Sequence, residues 1–188
     1  DREYVQRAMG GRVYVSEPLV SKITGELSIM VAAPLYDGGN KDAGIVGVVY
    51  FVPPETFLND IVSSIKVSQN SRTYMINKNG DTIADVTLDT ITTQNVERDA
   101  QNDRSLKELA AIHGEMRQGR NGFGSFHDAD GPRYAAYAPV EGTDGWSVAV
   151  TAMKKDYLTD TYVGILINVL VIVASILASI AVALKLSS

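Results

Sequence analysis

The sequence predicts an α+β chain: two similar modules, each of antiparallel strands with flanking helices, followed by one transmembrane helix. Three observations predict it. Tyr162 to Leu184 is a 23-residue run without a charge. Ahead of it, short strand-like runs alternate with helical apolar stripes, punctuated by glycine-rich turns. One phrase also recurs. It reads Ala33-Pro34-Leu35, a turn, then Gly44-Ile45-Val46 in the first half, and Ala138-Pro139-Val140, the turn Gly142-Thr143-Asp144-Gly145, then Trp146-Ser147-Val148 in the second. Such a repeat suggests duplication of a small antiparallel-sheet unit.

Residues 1–9 read as the end of a helix, with Tyr4, Val5, Ala8 and Met9 on one face and Gly10-Gly11 as its stop. Strands are expected at Arg12–Ser16, at Leu27–Ala33 after the turn Thr24-Gly25, and at Ile45–Val52 after the glycine-rich connection Asp37–Gly44. Pro53-Pro54 ends that strand and opens a helix, whose stripe is Phe57, Leu58, Ile61, Val62 and Ile65. Next comes a hairpin, Thr73–Ile76 and Thr82–Ala84, turned by Asn77-Lys78-Asn79-Gly80. Residues 86–102 read as polar and irregular. Ser105-x-x-Glu108 has the capping-box pattern ahead of Leu106, Leu109, Ile112 and Met116, with Gly119 as the stop. Strands Phe123–His127, Arg133–Ala138 and Trp146–Ala152 close the second half. The domain reading is residues 1–66, 67–158, a transmembrane helix over 159–185, and 186–188 as the start of a cytoplasmic region.

Seventeen Lys+Arg against 22 Asp+Glu give a net charge of −5. A nucleic-acid binder would need a basic stripe to displace counterions from phosphate, so that class is excluded. With no cysteine, disulfide frameworks and thiolate zinc sites are excluded as well. At about 1.5 Å per residue the charge-free run reaches roughly 34 Å, enough to cross a hydrocarbon core of about 30 Å. Gly164, Asn168, Ser175 and Ser179 fall on one face of that helix, where small and hydrogen-bonding residues favour a helix–helix contact. The face implies a homodimer or a partner helix. Lys154 and Lys155 before the span and Lys185 after it leave orientation undecided.

No catalytic or metal constellation stands out. His113 and His127 lie fourteen residues apart in different elements, without carboxylates at ligand spacing, and both read as surface residues. Asp128-x-Asp130-Gly131 starts like a calcium loop but lacks its closing glutamate, and reads as a hairpin turn. No nucleophile elbow, P-loop or dinucleotide fingerprint is present. The expectation is therefore a binding or sensing domain, not an enzyme, with no cofactor and no metal.

Arg2-Glu3-Tyr4 with Ala8, Val15-Ser16-Glu17-Pro18, Thr24-Gly25-Glu26, Ala33-Pro34-Leu35 and Gly44 to Val49 resemble the membrane-distal module of double Cache domains. Tyr74 to Ala84, Tyr137 to Val140 and Thr143 to Trp146 resemble the proximal one. The resemblance implies two PAS-like modules, N-terminally truncated here. It also implies the extracytoplasmic sensor of a bacterial methyl-accepting chemotaxis protein in the cytoplasmic (inner) membrane. The same sensor on a histidine kinase or diguanylate cyclase, or a membrane-anchored solute-binding domain without signalling, is the alternative. A small-molecule ligand in the distal module is implied, with Arg2, Tyr4, Tyr14, Ser16 and Ser21 as contacts and Arg2 as a carboxylate clamp. Leu19 and Ser21 replace the family's tyrosine and aspartate, and Val52 its strand-ending aspartate. The implied ligand is thus carboxylate-bearing or neutral, not an amino acid. Cytoplasmic kinase or adaptor partners would be reached through an output domain outside this chain.

Overall fold

The computed structural model describes residues 2–20, 27–54, 56–157, 164–173 and 175. Helix α1 (Glu3–Met9) buries Tyr4 and Ala8 against Met30 and Ala32, while Met9 stays exposed. Strand β1 is Tyr14–Val15, and the short antiparallel pair β2 (Leu19–Val20) and β3 (Leu27–Ser28) follows. Strands β4 (Val31–Tyr36) and β5 (Ile45–Phe51) complete a three-stranded antiparallel sheet of order β1-β4-β5. The connection between them is two 3-10 turns, with Gly38, Gly39 and Gly44 at positive φ where a side chain would strain the backbone.

The second sheet has five antiparallel strands: β6 (Arg72–Ile76), β7 (Thr82–Asp85), β8 (Gly122–Asp128), β9 (Gly131–Pro139) and β10 (Ser147–Met153). Their order is β7-β6-β10-β9-β8, so the last strand lies in the middle. The repeated Ala-Pro phrase falls on β4 and β9, and each pairs antiparallel with the strand that follows it. The two sheets differ at the next position. β10 has β6 on its other side, whereas β5 is an edge strand among the described residues. Val46, Val49, Tyr50 and Phe51 are exposed along it.

Both faces of the second sheet are covered. Helix α2 (Phe57–Ser64) packs Leu58 and Val62 on Met75, Ile83 and Trp146, joined by Ile29 from the first half. It precedes residue 67 but lies on the second sheet, because Leu58 and Val62, one turn apart, need an apolar floor. On the other face lie α3 (Val96–Asp99) and α4 (Lys107–Arg117), with Ile112 and Met116 seated on Ile76, Phe126, Ala135 and Ala149. Close packing depends on small residues here. A Cβ on Gly124 would come within 3.0 Å of Ile112, and one on Gly122 within 2.5 Å of the Tyr137 hydroxyl.

The expected capping box is not what starts α4. Asp103 takes that role: its carboxylate accepts from the Ser105 backbone and hydroxyl, at 2.9 and 2.7 Å, ahead of the 3-10 turn Arg104–Leu106. Glu108 turns instead to His127, accepting from its backbone N–H at 2.9 Å and contacting its ring at 3.0 Å. Residues 86–102 are more ordered than their polarity suggests, holding a 3-10 turn and α3, which Asn95 caps through Arg98 N–H.

After β10 the chain enters a helical turn at 154–157. The Asp156 carboxylate accepts from Ser68 Oγ (2.6 Å), Asn70 N–H (3.0 Å) and Asn70 Nδ2 (2.8 Å), which ties this exit turn to the α2–β6 loop. Residues 164–173 and 175 are helical; the rest of the 162–184 run, Ser179 included, lies outside the described residues. No described helix is long and apolar enough to cross a membrane. Asn168 donates to the Gly164 carbonyl (2.8 Å) and Ser175 to that of Val171 (2.8 Å), so each bonds the preceding turn of its own helix.

Candidate functional site

Strand alternation sends Tyr74 and Ile76 of β6 to the face opposite Met75, beneath α3 and α4. Between that face and the two helices is a cavity of about 220 Å³. Tyr74, Asp85, Gln94, His113, Arg133 and Thr151 are among the residues that line it. At its back, the Tyr74 hydroxyl and His113 Nε2 are 2.9 Å apart. His113 is 1% exposed, correcting the surface reading, whereas the His127 side chain is 68% exposed. Burial pushes the His113 pKa down to about 4, so the ring is neutral at physiological pH. Its Nδ1 has no hydrogen-bond partner among the described residues. If the Tyr74 hydroxyl donates to Nε2, Nδ1 carries the imidazole proton, which leaves a buried donor with nothing to receive it.

Asp85 stands directly opposite Tyr74 in the β6–β7 register. Its carboxylate accepts from Thr87 N–H at 2.7 Å and forms no ion pair among the described residues. Burial raises its pKa above the usual carboxylate value, opposed by the Thr87 N–H and by the Arg72 charge.

Arg133 is a structural cation. Its side chain is 3% exposed, and all three donor groups are engaged: Nε to Asp128, Nη1 to the Asn70 carbonyl at 2.9 Å, and Nη2 to Asp130 at 3.3 Å. The Asp128-x-Asp130-Gly131 turn thus serves as the counter-charge of a buried arginine. Asn70 is shared, since the same residue grips Asp156.

The residues expected to bind ligand are only partly brought together. Arg2 Nη1 donates to the Tyr4 hydroxyl at 3.3 Å, and the Tyr4 ring tilts against Tyr50 with centroids 6.0 Å apart. Tyr14 lies elsewhere, beneath the Arg7 guanidinium at 5.6 Å. Ser16 is buried and occupied by its own backbone, accepting from Met30 N–H at 2.8 Å and donating to the Glu17 carbonyl at 3.0 Å. Ser21 lies outside the described residues. The cavity residues were missed in the sequence, although a signal existed. Leu109, Ile112, His113 and Met116 have i, i+3, i+4, i+7 spacing, which puts His113 inside the buried stripe of α4.

A family profile described as Cache domain matches residues 1–161. Among solved structures, the extracellular domain of mmHK1S-Z3, assigned as a histidine kinase, is similar. Its TM-score is 0.62 at 17% identity, over 86% of this chain and 57% of that one. The periplasmic sensory domain of the Campylobacter jejuni chemoreceptor Tlp1 gives 0.58 at 20% identity, over 83% and 56%. The ligand-binding domain of the Pseudomonas fluorescens chemoreceptor CtaA, solved with L-serine, gives 0.58 at 14%, over 82% and 61%. These likenesses are of fold, and the chain spans little more than half the length of those structures. A search of curated proteins finds no match.

Proposed function

The chain belongs to the Cache domain family, and on that premise we propose that it is the extracytoplasmic ligand-sensing and transmembrane signalling region of a bacterial chemotaxis receptor. A small molecule binds the N-terminal module of a double Cache arrangement, where Arg2 is held by Tyr4, and the second module passes the change to the helix beyond residue 159. That helix spans the cytoplasmic membrane and pairs with a second copy along Gly164, Asn168, Ser175 and Ser179. Kinase or adaptor partners are engaged by an output domain beyond it. Similarity to the Tlp1 and CtaA sensor domains supports the chemoreceptor reading. The fold shared with mmHK1S-Z3 supports a second one, the same sensor driving a histidine kinase.

The observation that carries transmission is the Asp156 clamp on Ser68 and Asn70. A ligand that strengthened or broke this clamp would bias the position of the exit turn. The test uses the receptor containing this chain, screened by thermal shift against organic acids, amino acids, amines and sugars. A ligand at 100 times its dissociation constant adds about 2.7 kcal/mol. Arg2→Ala is expected to abolish the response to a carboxylate ligand. Asp156→Ala is expected to preserve binding while disconnecting it from output. An Asp156→Ala receptor that signals normally would sink the transmission reading.

A further inference from the structure

We propose that the cavity beneath α3 and α4 is a second ligand site, for a small organic amine whose ammonium is held by Asp85 and whose hydrogen-bond acceptor is met by His113. The inference deepens the sensing reading and rests on it only for the expectation that a small molecule is bound. Three observations assign the chemistry.

The first is charge. Two arginines and two aspartates line the cavity, but they are not equally available. Arg133 has spent its donors on Asp128, Asp130 and Asn70. Arg72 leans outward to Asp130 at 3.6 Å, with its side chain 58% exposed. Asp128 belongs to Arg133. Asp85 is left as the carboxylate without an ion pair among the described residues, and its partial burial penalises that charge. A cation entering the cavity relieves the penalty; an anion adds to it.

The second is the orphaned donor. His113 lines the cavity, and its Nδ1 is buried without a partner among the described residues. Leaving a buried donor unpaired is unfavourable, and a carbonyl, ether or hydroxyl oxygen on a ligand relieves that cost. The third is spacing. Tyr74 stands opposite Asp85 across the strands and meets His113 Nε2 through its hydroxyl, so Asp85 lies towards the backbone end of that side chain and the His113 ring at its tip. That separation selects an amine with an oxygen acceptor at the far end of a short chain. The volume, about 220 Å³, lies below the common range of roughly 300–1,000 Å³ for ligand pockets and suits a small metabolite.

The test is binding to the whole chain in detergent, with ethanolamine, 3-aminopropan-1-ol and putrescine as cationic probes and acetate and succinate as anionic ones. The chain has two histidines, which makes ring NMR a direct readout. The amino alcohols are expected to move the His113 resonances and leave those of His127 in place. Asp85→Asn, which keeps the shape and the bond from Thr87, is expected to weaken amine binding about tenfold or more. Tyr74→Phe reports on the same site without touching charge, and is expected to weaken the amino alcohols more than putrescine. Arg2→Ala leaves all of this unchanged, separating the cavity from the N-terminal site. Silence of His113 towards every amine, amine binding that survives Asp85→Asn, or preferential binding of acetate or succinate would overturn the assignment. So would amine binding that disappears in Arg2→Ala.

Discussion

His113 shows what a single residue contributes to both stability and recognition. Its pKa is about 4 in the fold against about 6.5 when unfolded, and burial is the cause; Arg72, Asp85, Asp128 and Arg133 line the same cavity without being the source of the shift. The unfolded chain therefore binds the extra proton first. Stability from the neutral ring is complete above pH 6.5 and is lost as pH falls towards 4, by about 2 kcal/mol at pH 5. Urea unfolding at pH 7 and pH 5 is expected to show that loss in the parent and its absence in His113→Gln, read as the difference between the two proteins. Equal slopes would mean the ring is already solvated. At this scale the sequence was only partly legible. Helical spacing exposes His113 as a core position, but the partner, Tyr74, lies 39 residues away and no local pattern joins them. The role of Ser16 is likewise decided by Met30, fourteen residues on, which it meets only in three dimensions.

Elements are more legible in the sequence, because their signals are local. The α1 stop at Gly10, the Asn-Gly hairpin between β6 and β7, and the alternation of β8 to β10 all follow from neighbouring residues. Gly80, at φ 85°, turns that hairpin while Asn77 Oδ1 accepts from the N–H groups of Asn79 and Asp81. The start of α4 went otherwise. Ser105 and Glu108 have capping-box spacing, but Asp103, two residues before Ser105, accepts from the Ser105 N–H, and the His127 N–H donates to Glu108. Asp103→Ala is expected to lower the unfolding temperature, since it removes the cap, whereas Ser105→Ala, which keeps the backbone bond, lowers it less. Thermal unfolding of the two variants checks the order; the reverse order would restore Ser105 as the cap.

At the scale of the whole molecule, repetition was legible and completion was not. The Ala-Pro phrase falls on β4 and β9, each of which pairs with the strand that follows it. Nothing local revealed that α2 covers the second sheet, because that choice depends on where an apolar floor exists. Nor does local pattern show that β5 is an edge strand among the described residues, with Val46, Val49 and Phe51 exposed along it. Unprotected edges pair with other chains. Val49→Lys, at an exposed position, is expected to reduce self-association in sedimentation velocity while leaving the melting temperature within a degree or so. Unchanged association would place the contact elsewhere.

The central place of β10 has a kinetic consequence. During synthesis the β6–β7 and β8–β9 hairpins emerge first, each with an unsatisfied side, and neither can join the other until residues 147–153 have appeared. Until then α2 and α4 rest on half-built platforms, and the cavity has no continuous floor. The strand that completes the sheet is also the one that runs into the exit turn. Closure of the core and seating of the exit turn are therefore the same late event, governed by pairings more than 70 residues apart. A chain stalled before that strand exposes both hairpins at once, the point in its life when it most needs a chaperone.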